Sequence, residues 1–482
     1  MKKKFICLFL VLVMATSIFS TIVIASQRQD TADGCRTQGL TTEEMAAINA
    51  GTTLEELAEM GITLEELLAM DAEIDAIHGE NFSTNQRMAR RQFDLIEEGF
   101  MHARDGSIIH PDFYGGLALD SDGMPIIFIV ESRLEEAYNH DTIGTFLEDG
   151  LRYRHVEVSY AELREAVFEI SALTAERYTA YQCIYSYNVS SIFTDMFNNR
   201  VVVTLVEYNE HMIEGFRRYV YDSPILILRQ GDRISLGGYG NATFCYSDVD
   251  GSLNYSDWND TGYHQEIYQE IVPFNTTINT GAMIRRRILT GGGAYATAGF
   301  RVQCTWTGAR GFLTTAGDTL SHGNDVIERG FAGRQIGVVR ESIFRYGSGR
   351  TGMNASFVEL TGSNQITNNL PNGRFLQPFQ GDLPPRVGNP VEFFGGITGR
   401  VASGQITSTT FTLTNGNRQL FGMTLVERGA FSESGNSGGP VFAIDGFHVG
   451  LISGGDANRL VVVPMYRITS DFQSRGFNLR RW

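Results

Sequence analysis

The sequence predicts a mainly β C-terminal domain preceded by an α/β N-terminal half. Three observations carry that expectation. Fifty-three glycines against eleven prolines in 482 residues favour turn-rich β structure. Amphipathic runs alternate with apolar runs up to about residue 230, and beyond about residue 275 short apolar runs are separated by Gly- and Asn-rich turns. Charge changes sign at the same place: residues 1–275 hold 43 acids and 19 bases, a net of −24, whereas residues 276–482 hold 12 and 20, a net of +8. Halves of opposite sign attract, so each is expected to be the other's partner. The arginines of the basic half are scattered, which argues against a nucleic-acid surface.

The elements follow in order. Lysine occurs only at Lys2, Lys3 and Lys4, ahead of an apolar run from Phe5 to Ala25 that ends in "VIAS". A basic start, an apolar core and small residues at the end are the order of a secretory signal, residues 1–25. An uncleaved membrane anchor is the alternative, and Thr16, Ser17, Ser20 and Thr21 interrupt the run against it. A secreted location follows, with no membrane contact after cleavage.

Residues 26–80 contain an acidic helical repeat, "TTEEMAAINAG", "TTLEELAEMG", "ITLEELLAMD". Thr41/Glu44, Thr52/Glu55 and Thr63/Glu66 have capping-box spacing, and Gly51 and Gly61 stop the first two helices. Thr41 to Glu80 holds eleven acids and no Lys or Arg. A solvated run of short helices is favoured over an acidic docking segment.

Residues 81–230 read as an α/β domain. "MPIIFIV", "RVVVTLVEY" and "SPILILR" have strand character, and "YAELREAVFEISALTAERY" and "NEHMIEGFRRYVY" have helical period. From Gly231 to about residue 274 the sequence lacks period and reads as a linker and processing region. Residues 275–482 then offer "GFRVQCTW", "GFLTTA", "QIGVVRES", "ASFVEL", "EFFGGITGRVASGQITS", "FGMTLVE", "GPVFAI", "HVGLIS" and "LVVVPMYRI", the spacing of an all-β barrel or sandwich. Past the signal sit Cys35, Cys183, Cys245 and Cys304. Two disulfides are possible in an exported chain, but Cys304 is alone in the basic half and its apolar context suits a buried free thiol.

The sharpest chemical signal is Gly435-Asn436-Ser437-Gly438-Gly439-Pro440, placed before the strand "VFAI". Glycines on both sides of Ser437 allow a tight turn, leave its hydroxyl clear of side chains, and let the N–H groups of Gly435 and Ser437 converge. Convergent donors of this kind stabilise the oxyanion of acyl transfer. No metal or nucleotide motif stands out, so no cofactor is expected.

"GNSGGP" resembles the nucleophile segment of chymotrypsin-like (trypsin-fold) serine peptidases, and "GFLTTAG" (311–317) resembles the segment presenting their catalytic histidine. The similarity is nearest to secreted bacterial members of the streptogrisin and α-lytic type, which carry an N-terminal pro-region. It is specific over about 300–482 and includes "IGVV" (336–339), "NASFVEL" (354–360) and "GLISGG" (450–455). The resemblance implies two six-stranded antiparallel barrels with the active site between them, preceded by a pro-region that assists folding.

Carried over by position, the nucleophile falls on Ser437. The histidine position holds Asp318 and the aspartate position holds Asn354. Ser453, Gly454 and Gly455 fall on the strand that aligns substrate. A serine needs a base that accepts its proton and returns it to the leaving amine. Imidazole, with a pKa of about 6.5, suits this task, whereas aspartate, at about 3.9, is a weak base. As a static arrangement the replacements are compatible, since Asn354 and Ser437 can both donate to an Asp318 carboxylate. The expectation is an impaired or inactive peptidase homologue that binds peptide segments in its cleft and has its own acidic pro-region as chaperone and inhibitor. The alternative is an active endopeptidase using Ser437 with His322 as base, one helical turn beyond Asp318, oriented by Asp325.

Overall fold

The computed structural model describes residues 42–49, 53–55, 57, 63–104, 107–175, 180–236, 277–286, 295–315, 326–329, 334–345, 353–376, 384–415, 418–427, 429, 436–444 and 446–481. The signal segment, Cys35, Cys245 and the side chain of Cys183 lie outside that set, as do Asp318, His322, Asp325 and Gly435. Two compact units form: Met1–Leu163 with Met196–Asn199, and Arg164–Asp195 with Arg200–Trp482.

The first unit opens on the acidic repeat. Helix α1 spans Thr42–Asn49, α2 spans Leu64–His78 and α3 spans Phe82–Glu98. The predicted capping box at α2 is present: Thr63 Oγ1 accepts from the Glu66 N–H at 3.2 Å, and the Thr63 N–H donates to Glu66 Oε2 at 2.8 Å. These bonds hold the Glu66 carboxyl below its ordinary range. In the middle repeat the helix is described from Leu54, and Leu57 N–H donates to Thr53 C=O at 3.1 Å, while Thr52 lies outside the described residues. Ala47, Leu57 and Leu67, spaced as the repeat is, form one small core. Buried Arg87 and Asp71 then tie α3 to α2 through two bonds of 2.7 and 2.5 Å.

The unit also holds a two-stranded ribbon, Met101–His102 with Ile108–Ile109, and a three-stranded sheet with helices α4 (Leu134–Tyr138) and α5 (Asp141–Glu148). Strand β1 (Tyr114–Leu119) pairs antiparallel with β2 (Pro125–Val130), which pairs parallel with β3 (Arg152–Val156).

The second unit is mostly β. It takes most of α6 (Tyr160–Ala175), then α7 (Ala180–Tyr187), β4 (Val189–Asp195), β5 (Arg200–Leu205), α8 (Glu210–Tyr219), β6 (Leu226–Gln230) and the short β7 (Ser235–Leu236). Seven strands follow: β8 (Met283–Arg286), β9 (Tyr295–Thr297), β10 (Arg301–Cys304), β11 (Arg310–Thr314), β12 (Val326–Arg329), β13 (Arg334–Arg345) and β14 (Met353–Leu360). The last group is β15 (Pro390–Gly395), β16 (Arg400–Asn415), β17 (Arg418–Glu427), β18 (Pro440–Ala443), β19 (His448–Gly455), β20 (Leu460–Pro464), helix α9 (Met465–Ser474) and β21 (Leu479–Arg481). The run "LVVVPMYRI" therefore ends as a helix: Pro464 caps α9, whose Met465, Ile468 and Phe472 turn inward at helical spacing.

Two sheets result. One has the order β9-β8-β12-β13-β14-β11-β10-β21, an open path of eight strands rather than a closed six. In the other, β15-β18-β19-β20-β17-β16 returns to β15 through the β15–β16 pairing, closing six strands antiparallel. Strand β16 also runs on to β4, so β4, β5 and β6 extend the same sheet. One buried cluster reaches from Phe193 and Val202 to Phe411, Leu413 and Leu425. Cys304 is free and fully buried, as its context predicts.

The seam between β4 and β16 is rich in hydroxyls. Thr194 N–H donates to Thr410 Oγ1 at 3.1 Å, and the two hydroxyls share a bond of 2.7 Å. Thr414 Oγ1 donates to Val189 C=O at 2.6 Å, and, off the seam, Gln419 Nε2 of β17 donates to Thr174 Oγ1 of α6 at 2.7 Å. Arg229 of β6 and Glu427 of β17 form an ion pair at 3.8 Å that joins a base of the acidic half to an acid of the basic half. Strand pairing and hydroxyl bonds join these elements.

Candidate active site and peptide-binding strand

Ser437 sits in the turn that feeds β18. Its carbonyl accepts from the Thr297 N–H at 2.7 Å. The next two residues clamp strand β19: Gly438 N–H donates to Ile452 C=O at 2.8 Å, and Ile452 N–H donates to Gly439 C=O at 2.9 Å. Only glycine fits at 438. Its φ is +87°, and a Cβ there would lie 2.1 Å from Thr314 Oγ1 and 2.4 Å from the Thr297 carbonyl oxygen. Thr314 ends β11, so the turn holding the serine packs on the strand that leads toward position 318.

Ser437 is 5% exposed, and its Oγ has no hydrogen-bond partner among the described residues. Buried polar atoms normally find partners, and the exceptions concentrate where a protein reserves them for chemistry or ligands.

Asn354, on β14, is also buried. Its Nδ2 donates to Ser453 Oγ at 3.0 Å, joining the open sheet to the closed ring. Ser453 takes one of the two N–H groups of this amide, and Asp318, its expected partner, lies outside the described residues. Since the amide carries no charge, this position supplies orientation without negative potential.

Gly454 and Gly455, beyond Ser453, are already paired. They face Leu236 and Ser235 of β7 in antiparallel register. An extended segment from earlier in the chain thus lies along the strand expected to align substrate. The preceding residues are fixed as well. Gly231 N–H donates to Leu205 C=O at 3.0 Å, Asp232 C=O accepts from Ser190 Oγ at 2.8 Å and from Arg459 Nη2 at 3.2 Å, and Ile234 is buried in the main core.

The structure therefore brings Ser437, Asn354, Ser453, Gly454 and Gly455 around one strand and its neighbouring turn. Sequence reading missed β7 and Arg459. "RISLG" does alternate apolar and polar residues, but two paired residues are too few for a periodic signal. Among the described residues no group of His, Cys, Asp or Glu is arranged to hold a metal ion, and no helix is long and apolar enough to cross a membrane.

Comparison with known proteins adds the following. Residues 182–231 match the family described as Pro-like C-terminal domain. This span covers most of α7 through β6. No curated protein matches the sequence. Among solved structures, the chymotrypsin of Cellulomonas bogoriensis aligns at 22% identity over 43% of this chain and 98% of its own, with a TM-score of 0.33. Thermobifida fusca protease A aligns at 22% identity over 43% and 100%, with a TM-score of 0.34. An alpha-lytic protease homolog, N4, aligns at 20% identity over 41% and 98%, with a TM-score of 0.33.

Proposed function

We propose that the protein is a secreted serine-endopeptidase homologue of the trypsin fold, catalytically impaired or inactive, that binds extended peptide segments in a retained cleft. The observation that carries this reading is the pairing of Ser235–Leu236 with Gly455–Gly454 beside Ser437, because a main-chain edge that accepts one strand is built to accept peptide. The two sheets are read as the two barrels of the fold, with the closed six-stranded ring as the clearer one. The segment matching the Pro-like C-terminal domain, together with β7, is read as the end of a pro-region that covers its own cleft. Asparagine at position 354 and aspartate at position 318 favour lost turnover.

The test is fluorophosphonate labelling and casein hydrolysis by the purified full chain, before and after limited proteolysis near residue 270, with Ser437→Ala as control. Neither labelling nor turnover in a folded protein is the expected outcome. Turnover that disappears in Ser437→Ala would overturn lost catalysis, and a further loss in His322→Ala would assign the base.

A further inference from the structure

We propose that Arg459 is the latch that keeps the chain's own segment 231–236 seated on β19, resting on the reading of β19 as a peptide-binding strand. Arg459 closes the turn between β19 and β20. That turn is internally braced: Asp456 N–H donates to Arg459 C=O at 2.9 Å, and Asn458 N–H donates to Asp456 Oδ1 at 2.9 Å. Arg459 is 8% exposed, and its guanidinium meets Asp456 Oδ2 twice, from Nε at 2.8 Å and from Nη2 at 2.5 Å. Asp456 thus neutralises and aims the cation.

The aimed Nη2 reaches a main-chain oxygen, the Asp232 carbonyl at 3.2 Å. Ser190 Oγ on β4 donates to the same oxygen at 2.8 Å. Both oxygen lone pairs of Asp232 are then used, one by the strand β4 and one by the turn that ends β19. The carbonyl lies three residues before Ser235, where β pairing begins. Fixing it sets the register in which Ile234 enters the core and Ser235–Leu236 meet Gly455–Gly454. Because the donor reads a carbonyl, the latch is indifferent to the side chain at 232. Its selectivity comes from the tight approach at Gly231, where a Cβ would lie 2.5 Å from Thr204 Cγ2.

Arg459 is a positioning residue in this scheme. A charge-assisted bond of this kind, once removed, shifts a local opening equilibrium by about tenfold to a hundredfold. The readout is trypsin cleavage after Arg233 in the full chain, which reports how often the segment leaves its seat, together with hydrogen exchange of 231–236 and of β16–β17. In Arg459→Met, cleavage after Arg233 and exchange of 231–236 should rise by about tenfold or more, with β16–β17 protection unchanged. Arg459→Lys should restore part of the protection, since an ammonium can still reach the carbonyl. Unchanged protection of 231–236 in Arg459→Met, with loosening confined to 455–460, would mean that Arg459 only braces its own turn and would overturn the latch. Should Arg459→Met fold poorly, Asp456→Asn keeps the turn and removes the aiming charge, and the same two outcomes decide.

Adding the fluorescein-labelled peptide Gly-Asp-Arg-Ile-Ser-Leu to these chains separates the latch from the reading beneath it. Faster cleavage at Arg233 without peptide binding supports the latch and overturns the peptide-binding cleft. Peptide binding with segment protection unchanged does the reverse.

Discussion

Asn354 Nδ2 donates to Ser453 Oγ at 3.0 Å, with both side chains buried, and this bond ties the open sheet to the closed ring at the place where substrate alignment is expected. The amide is neutral, so it holds geometry while contributing no charge to a base. Asn354→Ala should therefore act on stability. It leaves the Ser453 hydroxyl without its donor in a dry site, at a cost of about 1–3 kcal/mol. Urea denaturation of the full chain measures this as a lower midpoint at unchanged slope.

Ser437→Ala is expected to be neutral or stabilising. The buried Oγ has no partner among the described residues, so the fold gains little from it. Deleting an unsatisfied hydroxyl removes a desolvation cost of about 1–3 kcal/mol, and a fall in melting temperature of several degrees would contradict this.

Gly438→Ala and Gly373→Ala form a matched pair. Both glycines have left-handed backbone, with φ of +87° and +89°. Residue 373 has open space around a Cβ, whereas residue 438 meets Thr314 and Thr297. Gly373→Ala should cost about 1–2 kcal/mol from backbone strain alone. Gly438→Ala should exceed about 4 kcal/mol, because overpacking adds to that strain. Equal melting temperatures for the two variants would mean that the Ser437 turn is looser than its contacts imply.

Thr410→Val tests the seam. The variant removes the acceptor of the Thr194 N–H and the bond shared with the Thr194 hydroxyl. The seam should weaken by about 1–3 kcal/mol, seen as faster amide exchange in β4, with β18–β20 unaffected.

Glu392 gives a pH dependence. Burial holds its carboxyl above the ordinary range, outweighing its ion pair with Arg374, which pulls the other way. A raised value in the fold means stability that is fully present below the ordinary pKa of 4.5 and lost as pH rises through the raised value. Thermal melts of Glu392→Gln at about pH 4 and about pH 8 should differ less than those of the unaltered chain.

Much of this was legible in the residues. Short apolar runs placed β2, β5, β14 and β19, and the Thr63–Glu66 spacing placed the start of α2. "LVVVPMYRI" was misread past Pro464 because its apolar residues fit a strand locally, while the helix buries Met465, Ile468 and Phe472 three and four apart. "GNSGGP" located the serine turn, and "GLISGG" located the strand beside it. The occupant of that strand was not legible. Ser235 and Gly455 are 220 positions apart in sequence, and the pairing rests on Arg459, Ser190 and Ile234 acting together, which no local period encodes.

The continuation of β16 onto β4 has a consequence for what remains after any separation at the seam. Strand β16 is sixteen residues long, and on the β4 side its backbone groups are satisfied by Ile192 and Ser191 opposite Thr412 and Leu413. Stripped of β4, that margin becomes a bare hydrogen-bonding border rich in threonine, with Phe411 and Leu413 alternating along it. Borders of this type recruit copies of themselves. A C-terminal half made without β4 should therefore precipitate as concentration rises.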